Sequence, residues 1–213
     1  MFEYEHIFKN LRQNEVGRFS VTRPYESKQI IGFVEMILNS KGKTLHNSVV
    51  TDCTAGTGGD TIAFSYLAKH VNAIENNIEQ YELLEENCRI AGRENIRTIF
   101  DNCMNIIDKI NEPDHVILID PPWGGSGYKN HNNLQLSLGG YGIDFVANYA
   151  KRYGIVFLKL PLNADLTNIP IENKFLINNK KNIPSFFLIH VSSGLPFYWN
   201  QENFSEINKG WTC

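Results

Sequence analysis

The sequence predicts an α/β fold with a mostly parallel, seven-stranded sheet and a C-terminal antiparallel hairpin. Short β-branched runs alternate with helical patterns, which is typical of parallel strands connected by helices on both faces of a sheet. The last two β-type runs are joined by "NKKNIP", which is too short for a crossover helix. They are therefore expected to pair as an antiparallel hairpin.

Seven runs have the length and composition of buried strands. These runs are 47–52, 70–75, 96–100, 115–120, 154–160, 173–178 and 185–191. Helices are expected after the glycines at 56–59, over 78–91 and over 144–153. For the second helix we predict one apolar face, ended by Gly92 and formed by Ile78, Tyr81, Leu84, Cys88 and Ala91.

This order of elements is that of the class I S-adenosylmethionine-dependent methyltransferase fold, an analogy of fold alone. Residues 46–213 are predicted to form the methyltransferase domain. Residues 1–45 carry several basic side chains and read as helical turns. We expect them to form an N-terminal helical extension, which serves either as a substrate lid or simply as a solvated face of the domain.

Composition excludes several classes of protein. The 213-residue chain has a net charge of −3, which argues against tracking along a nucleic-acid duplex but permits a short RNA end. Neither a membrane span nor a secretory signal is recognised, so a soluble intracellular monomer in the nucleus or cytoplasm is expected. The four cysteines form no CxxC pair, and neither a metal nor a disulfide framework is predicted.

A glycine-rich turn follows the first strand in "VVTDCTAGTGGDT". Its pattern is neither GxGxxG nor a P-loop, which favours a ligand without phosphates, and S-adenosylmethionine is the common one. A glycine turn that opens a helix lets the backbone approach a ligand closely. The predicted cofactor residues of this stretch are Asp52, Thr54, Gly56, Gly58, Gly59 and Thr61.

The next strands supply further candidates for the cofactor. Glu75 ends the second strand, where an acid accepts hydrogen bonds from both ribose hydroxyls in nucleotide-binding α/β folds. Asp101 or Asn102, after the third strand, is predicted to hold the adenine amine. Because parallel strands end at one edge of the sheet, these residues and Asp120 are expected to lie together there.

"DPPWGGSGY" at 120–128 follows the fourth strand and indicates methylation of an amine on a planar base. Such an amine is a poor nucleophile and needs acceptors for its hydrogens and alignment with the methyl donor. Asp120 and the Pro121 carbonyl provide rigid acceptors, and Trp123 provides a surface for stacking. Adenine N6, cytosine N4 and guanine N2 all satisfy this pattern.

The chain resembles the trimethylguanosine synthases, which are RNA cap guanine-N2 methyltransferases. The resemblance extends along most of the chain and is carried by "GRFSVTRPYESKQI", "VVTDCTAGTGGDTIAFS", "DPPWGGSGY", "IVFLKLPLNADL" and "KFLINNKK". It implies that Trp123 stacks on the positively charged 7-methylguanine. It also implies that Ser20 and Thr22 lie near the methionine end of the cofactor, which leaves as S-adenosylhomocysteine.

The resemblance implies a capped RNA 5′ end as the partner, with Asn163 of the Asn-Ala-Asp stretch at the substrate. One departure concerns the cap phosphates, because Leu162 replaces an arginine of the family. Lys159, Arg18 or a lysine at 180–181 is expected to substitute for that arginine. The compact chain suggests a minimal catalytic domain from a virus, acting in the host cell, or from a small eukaryote.

Two alternatives to a cap methyltransferase stay open. An N6-adenine or N4-cytosine methyltransferase would use the same Asp-Pro-Pro-aromatic motif. A cap-binding relative without activity would explain Leu162, although an intact glycine turn, Glu75 and Asp120 argue against it.

Overall fold

The computed structural model describes residues 4–110, 112 and 114–191. Cys213, one of the four cysteines considered above, lies outside the described residues. The helices are α1 (Tyr4–Phe8), α2 (Glu15–Ser20), α3 (Pro24–Ser40), α4 (Gly59–Ser65), α5 (Ile78–Ala91) and α6 (Ile143–Ala150). The strands are β1 (Val49–Asp52), β2 (His70–Glu75), β3 (Ile96–Phe100), β4 (Val116–Ile119), β5 (Ser137–Leu138), β6 (Tyr141–Gly142), β7 (Ile155–Pro161), β8 (Ile171–Asn178) and β9 (Pro184–Val191).

The main sheet has seven strands in the order β3-β2-β1-β4-β7-β9-β8. The first five strands of this order are parallel, and β9 runs antiparallel to both β7 and β8. This topology confirms the predicted fold class, including the hairpin at the C-terminal end of the sheet. Burial of the strands agrees with their positions in the sheet. The central strands β1 and β4 are buried along their whole length, whereas buried and exposed residues alternate along most of the edge strand β8.

Two apolar layers cover the sheet. On one face α1, α3 and α4 pack in a core with residues of β1, β4 and β8, and on the other face α6 packs with β4, β7 and β9. Helix α3 buries Ile30, Ile31, Val34, Ile37 and Leu38 in the first of these cores. Tyr4 of α1 is fully buried in the same core, so both ends of the N-terminal segment pack on the domain.

Helix α5 packs through most of its predicted apolar face, because Tyr81, Leu84, Cys88 and Ala91 contact the apolar cores, but its first residue does not. Ile78 is 51% exposed, while Gln80, Leu84 and Asn87 are the buried residues of this helix. The reason is that α5 contacts the N-terminal segment as well as the sheet, and its buried amides bond to that segment. The predicted stop is confirmed, because Gly92 caps α5 in a left-handed conformation with φ of 60°.

Two smaller elements were not fully predicted. The short strands β5 and β6 form a separate antiparallel hairpin just before α6. Helix α6 ends at Ala150, three residues before the predicted boundary at 153. None of the helices in the described part of the chain is long and apolar enough to cross a membrane.

Candidate active site

The carboxyl ends of four parallel strands bring polar residues to one edge of the sheet. Asp52 ends β1, Glu75 ends β2, and Asp120 directly follows β4. Asp101 follows β3, which pairs in parallel with β2. Ligands of open parallel sheets bind at this edge, so the predicted site residues are gathered where a ligand is expected.

The glycine turn between β1 and α4 contains an open position next to Glu75. Gly56 has φ of 52°, and a Cβ placed on it would meet no described atom within 4 Å. Its N–H donates to Glu75 Oε2 at 2.8 Å. The other carboxylate oxygen of Glu75 accepts from the N–H groups of Asn76 and Asn77. The backbone of the turn is therefore fixed while the space above Gly56 stays accessible.

Gly58 and Gly59 are required by packing of the protein itself. A Cβ on Gly58 would lie 2.9 Å from Leu84 Cδ1, and one on Gly59 would lie 2.7 Å from Val21 Cγ2. Both distances are shorter than side chains tolerate without movement. The two glycines that were predicted for the cofactor thus let α5 and the N-terminal segment close around the turn.

Asp52 connects β1 to the helix that follows it. Its buried carboxylate accepts from Thr61 Oγ1 at 2.7 Å and from the Thr54 N–H at 3.3 Å. The Thr54 hydroxyl in turn accepts from the Asp120 N–H at 2.8 Å. Burial, together with the nearby Asp60, raises the pKa of Asp52 to about 7. Asp52, Thr54 and Thr61, all predicted cofactor residues, thus hold the glycine turn against the end of β4.

A buried cluster of Thr22, Asp60, Asp120 and Lys159 lies beside this turn. Lys159 Nζ donates to Asp120 Oδ2 at 2.6 Å and to Thr22 Oγ1 at 2.7 Å. The Thr22 hydroxyl donates to Asp60 Oδ2 at 2.5 Å, and Ser27 donates to the other oxygen of Asp60. We call these four residues the ion-pair cluster. It joins the N-terminal segment, α4, the end of β4, and β7.

Opposing effects set the charges of the ion-pair cluster. Burial raises the pKa of Asp120, and Lys159 counteracts part of that rise. Burial alone would lower the pKa of Lys159, but Asp120 and Asp60 outweigh it and raise that pKa. Lys159 is therefore a charged ammonium that is paired with both Asp120 and Asp60.

The position of Lys159 corrects one prediction and identifies a residue that was missed. Its side chain is only 3% exposed and its ammonium is bound to Asp120, so it is not available to bind cap phosphates. Asp60 was not among the predicted site residues. An acid in the first turn of the helix after a glycine turn was its sequence signal, in "GTGGDT".

Trp123 is half-buried between two aromatic rings. It makes edge contacts with Tyr128 at 5.2 Å and with Phe186 at 6.1 Å between ring centroids. Its indole Nε1 is buried without a hydrogen bond to any described residue, and its ring centroid lies 5.9 Å from the Lys159 ammonium that binds Asp120. Trp123 thus lies beside the carboxylate, with Pro121 buried between them in the chain.

Asp101 and Asn102 form the turn that follows β3. Asp101 Oδ1 accepts from Asn105 Nδ2 at 2.9 Å and from the Asn102 N–H at 2.7 Å, which lowers the pKa of Asp101. Asn102 Oδ1 accepts from the Met104 N–H at 3.0 Å. Both residues lie at the predicted edge, and neither bonds to the ion-pair cluster.

The remaining predicted residues lie around this centre. The Ser20 hydroxyl donates to Val16 O within α2, and Arg18 is exposed on the same helix. Asn163 Nδ2 donates to Tyr128 O at 2.8 Å and to His131 O at 2.7 Å. Asn163 therefore braces the loop after the Asp-Pro-Pro-Trp motif, beside the exposed Leu162.

The N-terminal segment is anchored by a residue that the sequence did not single out. Asn87 of α5 is fully buried, and its Nδ2 donates to Thr57 O at 2.7 Å and to Arg12 O at 2.9 Å. Its Oδ1 accepts from the Arg12 N–H at 2.6 Å. The available signal in the sequence was an asparagine three residues after Leu84, at the edge of the predicted apolar face of α5.

The residues at this edge suit S-adenosylmethionine. Gly56 leaves a cradle that a Cβ would fill, and Glu75 lies next to it at the end of β2. Asp60 and Asp120 outnumber Lys159, so the cluster favours a cationic group such as a sulfonium. The described residues contain no group of three side chains that could hold a metal ion.

Comparison with known proteins adds a family to this geometry. Residues 47–202 match the model of a family described as RNA cap guanine-N2 methyltransferase. An uncharacterized protein of Acanthamoeba polyphaga mimivirus is 34% identical over 161 residues. That match covers 72% of this chain and 62% of the mimivirus protein. The chain therefore spans less than two thirds of this relative's length.

Solved structures share the fold at low sequence identity. A precorrin-6y C5,15-methyltransferase from Geobacter metallireducens has a TM-score of 0.57 and 13% identity, covering 87% of this chain and 95% of its own. A Streptococcus mutans protein in complex with S-adenosylhomocysteine has a TM-score of 0.52 and 16% identity, covering 80% and 99%. These similarities confirm the methyltransferase fold.

Proposed function

Because the chain belongs to the RNA cap guanine-N2 methyltransferase family, we propose that it methylates the N2 amine of 7-methylguanosine in an RNA 5′ cap. The family confirms the resemblance stated for the sequence, and the protein is a methyltransferase with S-adenosylmethionine as its methyl donor. When bound, S-adenosylmethionine supplies an electrophilic methyl group on a positively charged sulfur. The nature of the acceptor is the part that is proposed.

One observation carries the proposal. The Lys159 ammonium lies 2.6 Å from the carboxylate of Asp120 and 5.9 Å from the ring of Trp123, and Thr54 links Asp120 to the glycine turn by a 2.8 Å hydrogen bond. The carboxylate that could accept from an amine and the ring that could stack on a planar base are thus both next to the glycine turn at which the cofactor is expected. An amine-bearing base is the substrate that this combination suits.

Asp120 and Pro121 are proposed to hold the amine. Lys159 binds Oδ2 of Asp120, so Oδ1 is the oxygen offered to an N2 hydrogen, and the Pro121 carbonyl is offered to the other. Burial raises the pKa of Asp120, which brings its basicity closer to that of a proton acceptor at neutral pH. The same carboxylate can therefore orient the amine and take up the proton that methylation releases.

Trp123 is proposed to recognise the base. A 7-methylguanine ring carries a delocalised positive charge, and stacking a cation on indole contributes about 0.5–2 kcal/mol. The excess of carboxylates in the ion-pair cluster favours the same charge. Both effects predict preference for a methylated cap over an unmethylated one.

The cap phosphates are proposed to contact basic residues other than Lys159. Leu162 is 43% exposed and offers no charge where the family has an arginine. Arg18 of α2 and the lysines at 180–181 are exposed. Arg18 is our first candidate because its helix packs on the glycine turn, where Gly17 lies against Thr57.

The acceptor can be tested with three substrates offered in parallel. The protein is incubated with S-adenosylmethionine and either m7GpppG, GpppG, or an oligonucleotide that contains adenine and cytosine, and the products are weighed by mass spectrometry. We expect a mass gain on m7GpppG alone. Asp120→Asn, which keeps the size of the side chain, is expected to lower that turnover by about 100-fold or more.

The other outcomes identify the alternatives. A gain on the oligonucleotide alone would establish an N6-adenine or N4-cytosine methyltransferase. No gain on any substrate, together with tight binding of S-adenosylmethionine in calorimetry, would establish a binding protein without turnover. Asn148→Ala, on the exposed face of α6, serves as the control variant and should retain activity.

A further inference from the structure

Lys159 occupies an unusual environment for a lysine. It lies on β7 with its side chain 3% exposed, and its ammonium is 5.0 Å from the ring of Phe186 and 5.9 Å from that of Trp123. A buried ammonium costs several kcal/mol unless fixed partners compensate it. Here the partners are Asp120 at 2.6 Å, Thr22 at 2.7 Å and Asp60 at 3.8 Å.

These partners come from distant parts of the chain and fix the ammonium from three different elements. Thr22 accepts a hydrogen bond from Lys159 and donates one to Asp60, so its hydroxyl connects α4 to β7. The third partner, Asp120, is the first residue of the Asp-Pro-Pro-Trp motif. The ammonium therefore has one arrangement that satisfies every partner.

We propose that Lys159 is a positioning residue of the methyl transfer, which binds Oδ2 of Asp120 and thereby keeps that carboxylate charged with Oδ1 directed to the substrate amine. Thr22 and Asp60 hold the ammonium in place. This inference rests on the proposed role of Asp120 as the acceptor for the amine. It assigns to Lys159 a function through Asp120, rather than a contact with cap phosphates.

The surroundings of Asp120 explain why a positioning cation is needed. Burial disfavours the negative charge of Asp120 most strongly, and Asp60 from α4 and Asp52 from β1 add to that effect. Lys159 from β7 and the indole of Trp123 favour the charge, and Glu26 of α3 also acts on Lys159. Without the ammonium Asp120 would take up a proton, and one of its acceptor oxygens would become a donor.

The test replaces Lys159 by methionine, which has a similar length and no charge. For Lys159→Met we expect kcat to fall by about 100-fold near neutral pH, with little change in the Kd of S-adenosylmethionine. Turnover should recover as pH rises, because the carboxyl of Asp120 then ionises without the lysine. The acid limb of the pH profile therefore moves to higher pH, which a purely structural defect would not produce.

The matched control is Lys43→Met. Lys43 pairs with Asp114, just before β4 and at the opposite end of that strand from Asp120. Its removal deletes one lysine and one ion pair without touching the cluster. The pH profile of Lys43→Met should coincide with that of the unaltered protein.

A measurement without substrate separates this inference from the proposed function. Carbon-13 NMR of the aspartate carboxyls follows the titration of Asp120 in the free protein and in Lys159→Met. We expect Asp120 to titrate at higher pH in the variant, whether or not any cap is methylated. An unchanged titration would overturn the role of Lys159 even if m7GpppG proves to be the substrate.

A milder variant covers the case in which Lys159→Met does not fold. Thr22→Val keeps the shape of the side chain and the pair between Lys159 and Asp120, but removes the hydroxyl that links them to Asp60. The acid limb should move in the same direction by a smaller amount. An acid limb that stays in place, with turnover reduced equally at all pH values, would refute the inference.

Discussion

Trp123 contacts two aromatic rings of the protein, and it is not stacked parallel on either of them. Tyr128 and Phe186 meet its ring at steep angles of 71° and 61°, which is the edge-to-face geometry that aromatic pairs prefer. The ring is therefore held in place without a parallel partner among these neighbours. The preceding Asp-Pro-Pro sequence limits how far the indole can move relative to Asp120.

Replacing this side chain should separate cap binding from cofactor binding. For Trp123→Ala we expect the Kd of m7GpppG to rise by about 10-fold or more, because a stacked cation is lost, while the Kd of S-adenosylmethionine changes little. Calorimetric titration with each ligand measures both values. Trp123→Phe, which retains a flat ring, should recover part of the affinity. Equal losses for the two ligands would argue against stacking.

At the scale of elements, the N-terminal segment is attached to the glycine turn by polar contacts. Asn87 bonds to Thr57 and Arg12, and Asn14 accepts from both Gly17 and Gln80. Helix α2 is only six residues long, so these contacts rather than its own hydrogen bonds must define its position. The segment places Thr22 in the ion-pair cluster, which makes it part of the site.

Removing the buried amide should therefore affect both stability and the cofactor. For Asn87→Ala we expect the free energy of unfolding to fall by about 1–3 kcal/mol, because buried backbone groups lose their partners. The Kd of S-adenosylmethionine should rise as well, since Thr57 belongs to the glycine turn. Urea titration and calorimetry measure the two effects, with the exposed Asn148→Ala as control. Normal cofactor affinity in a destabilised variant would contradict the coupling.

For the molecule as a whole, the carboxylates at one edge of the sheet impose an uncommon dependence of stability on pH. Asp52 has a pKa of about 7 in the folded protein, compared with 3.8 in the unfolded chain. An acid whose pKa is raised by folding stabilises the fold in its protonated form. Its contribution is complete below about pH 4 and is lost as pH rises to about 7.

Asp52→Asn removes this titration and tests its size. Relative to the unaltered protein, the variant should gain stability progressively between about pH 4 and pH 7, by up to about 4 kcal/mol. Urea unfolding at several pH values measures the difference. Asp108→Asn, at an exposed position, should give a difference that is small at every pH. A difference for Asp52→Asn that does not vary with pH would refute the assignment.

The amino-acid sequence by itself determined the fold class, the seven strands of the main sheet along the chain and the C-terminal hairpin. Those features are encoded locally, because β-branched runs form strands and parallel strands end together. The Asp-Pro-Pro-Trp motif is a contiguous stretch, so its residues were also recognisable. The burial of two amides on α5 was less predictable, because these amides bond to a segment some 70 residues earlier.

Only the tertiary structure decided where Lys159 lies and what its ammonium contacts. In the sequence it lies between Leu158 and Leu160 and reads as a basic residue for phosphates. In the fold it lies 2.6 Å from Asp120, which is 39 residues away, and near Asp60, which had attracted no attention. A charge pair of this kind is specified by the packing of four elements, and no local pattern records it. For that reason the sequence identified the carboxylate, while the structure identified the cation that holds it.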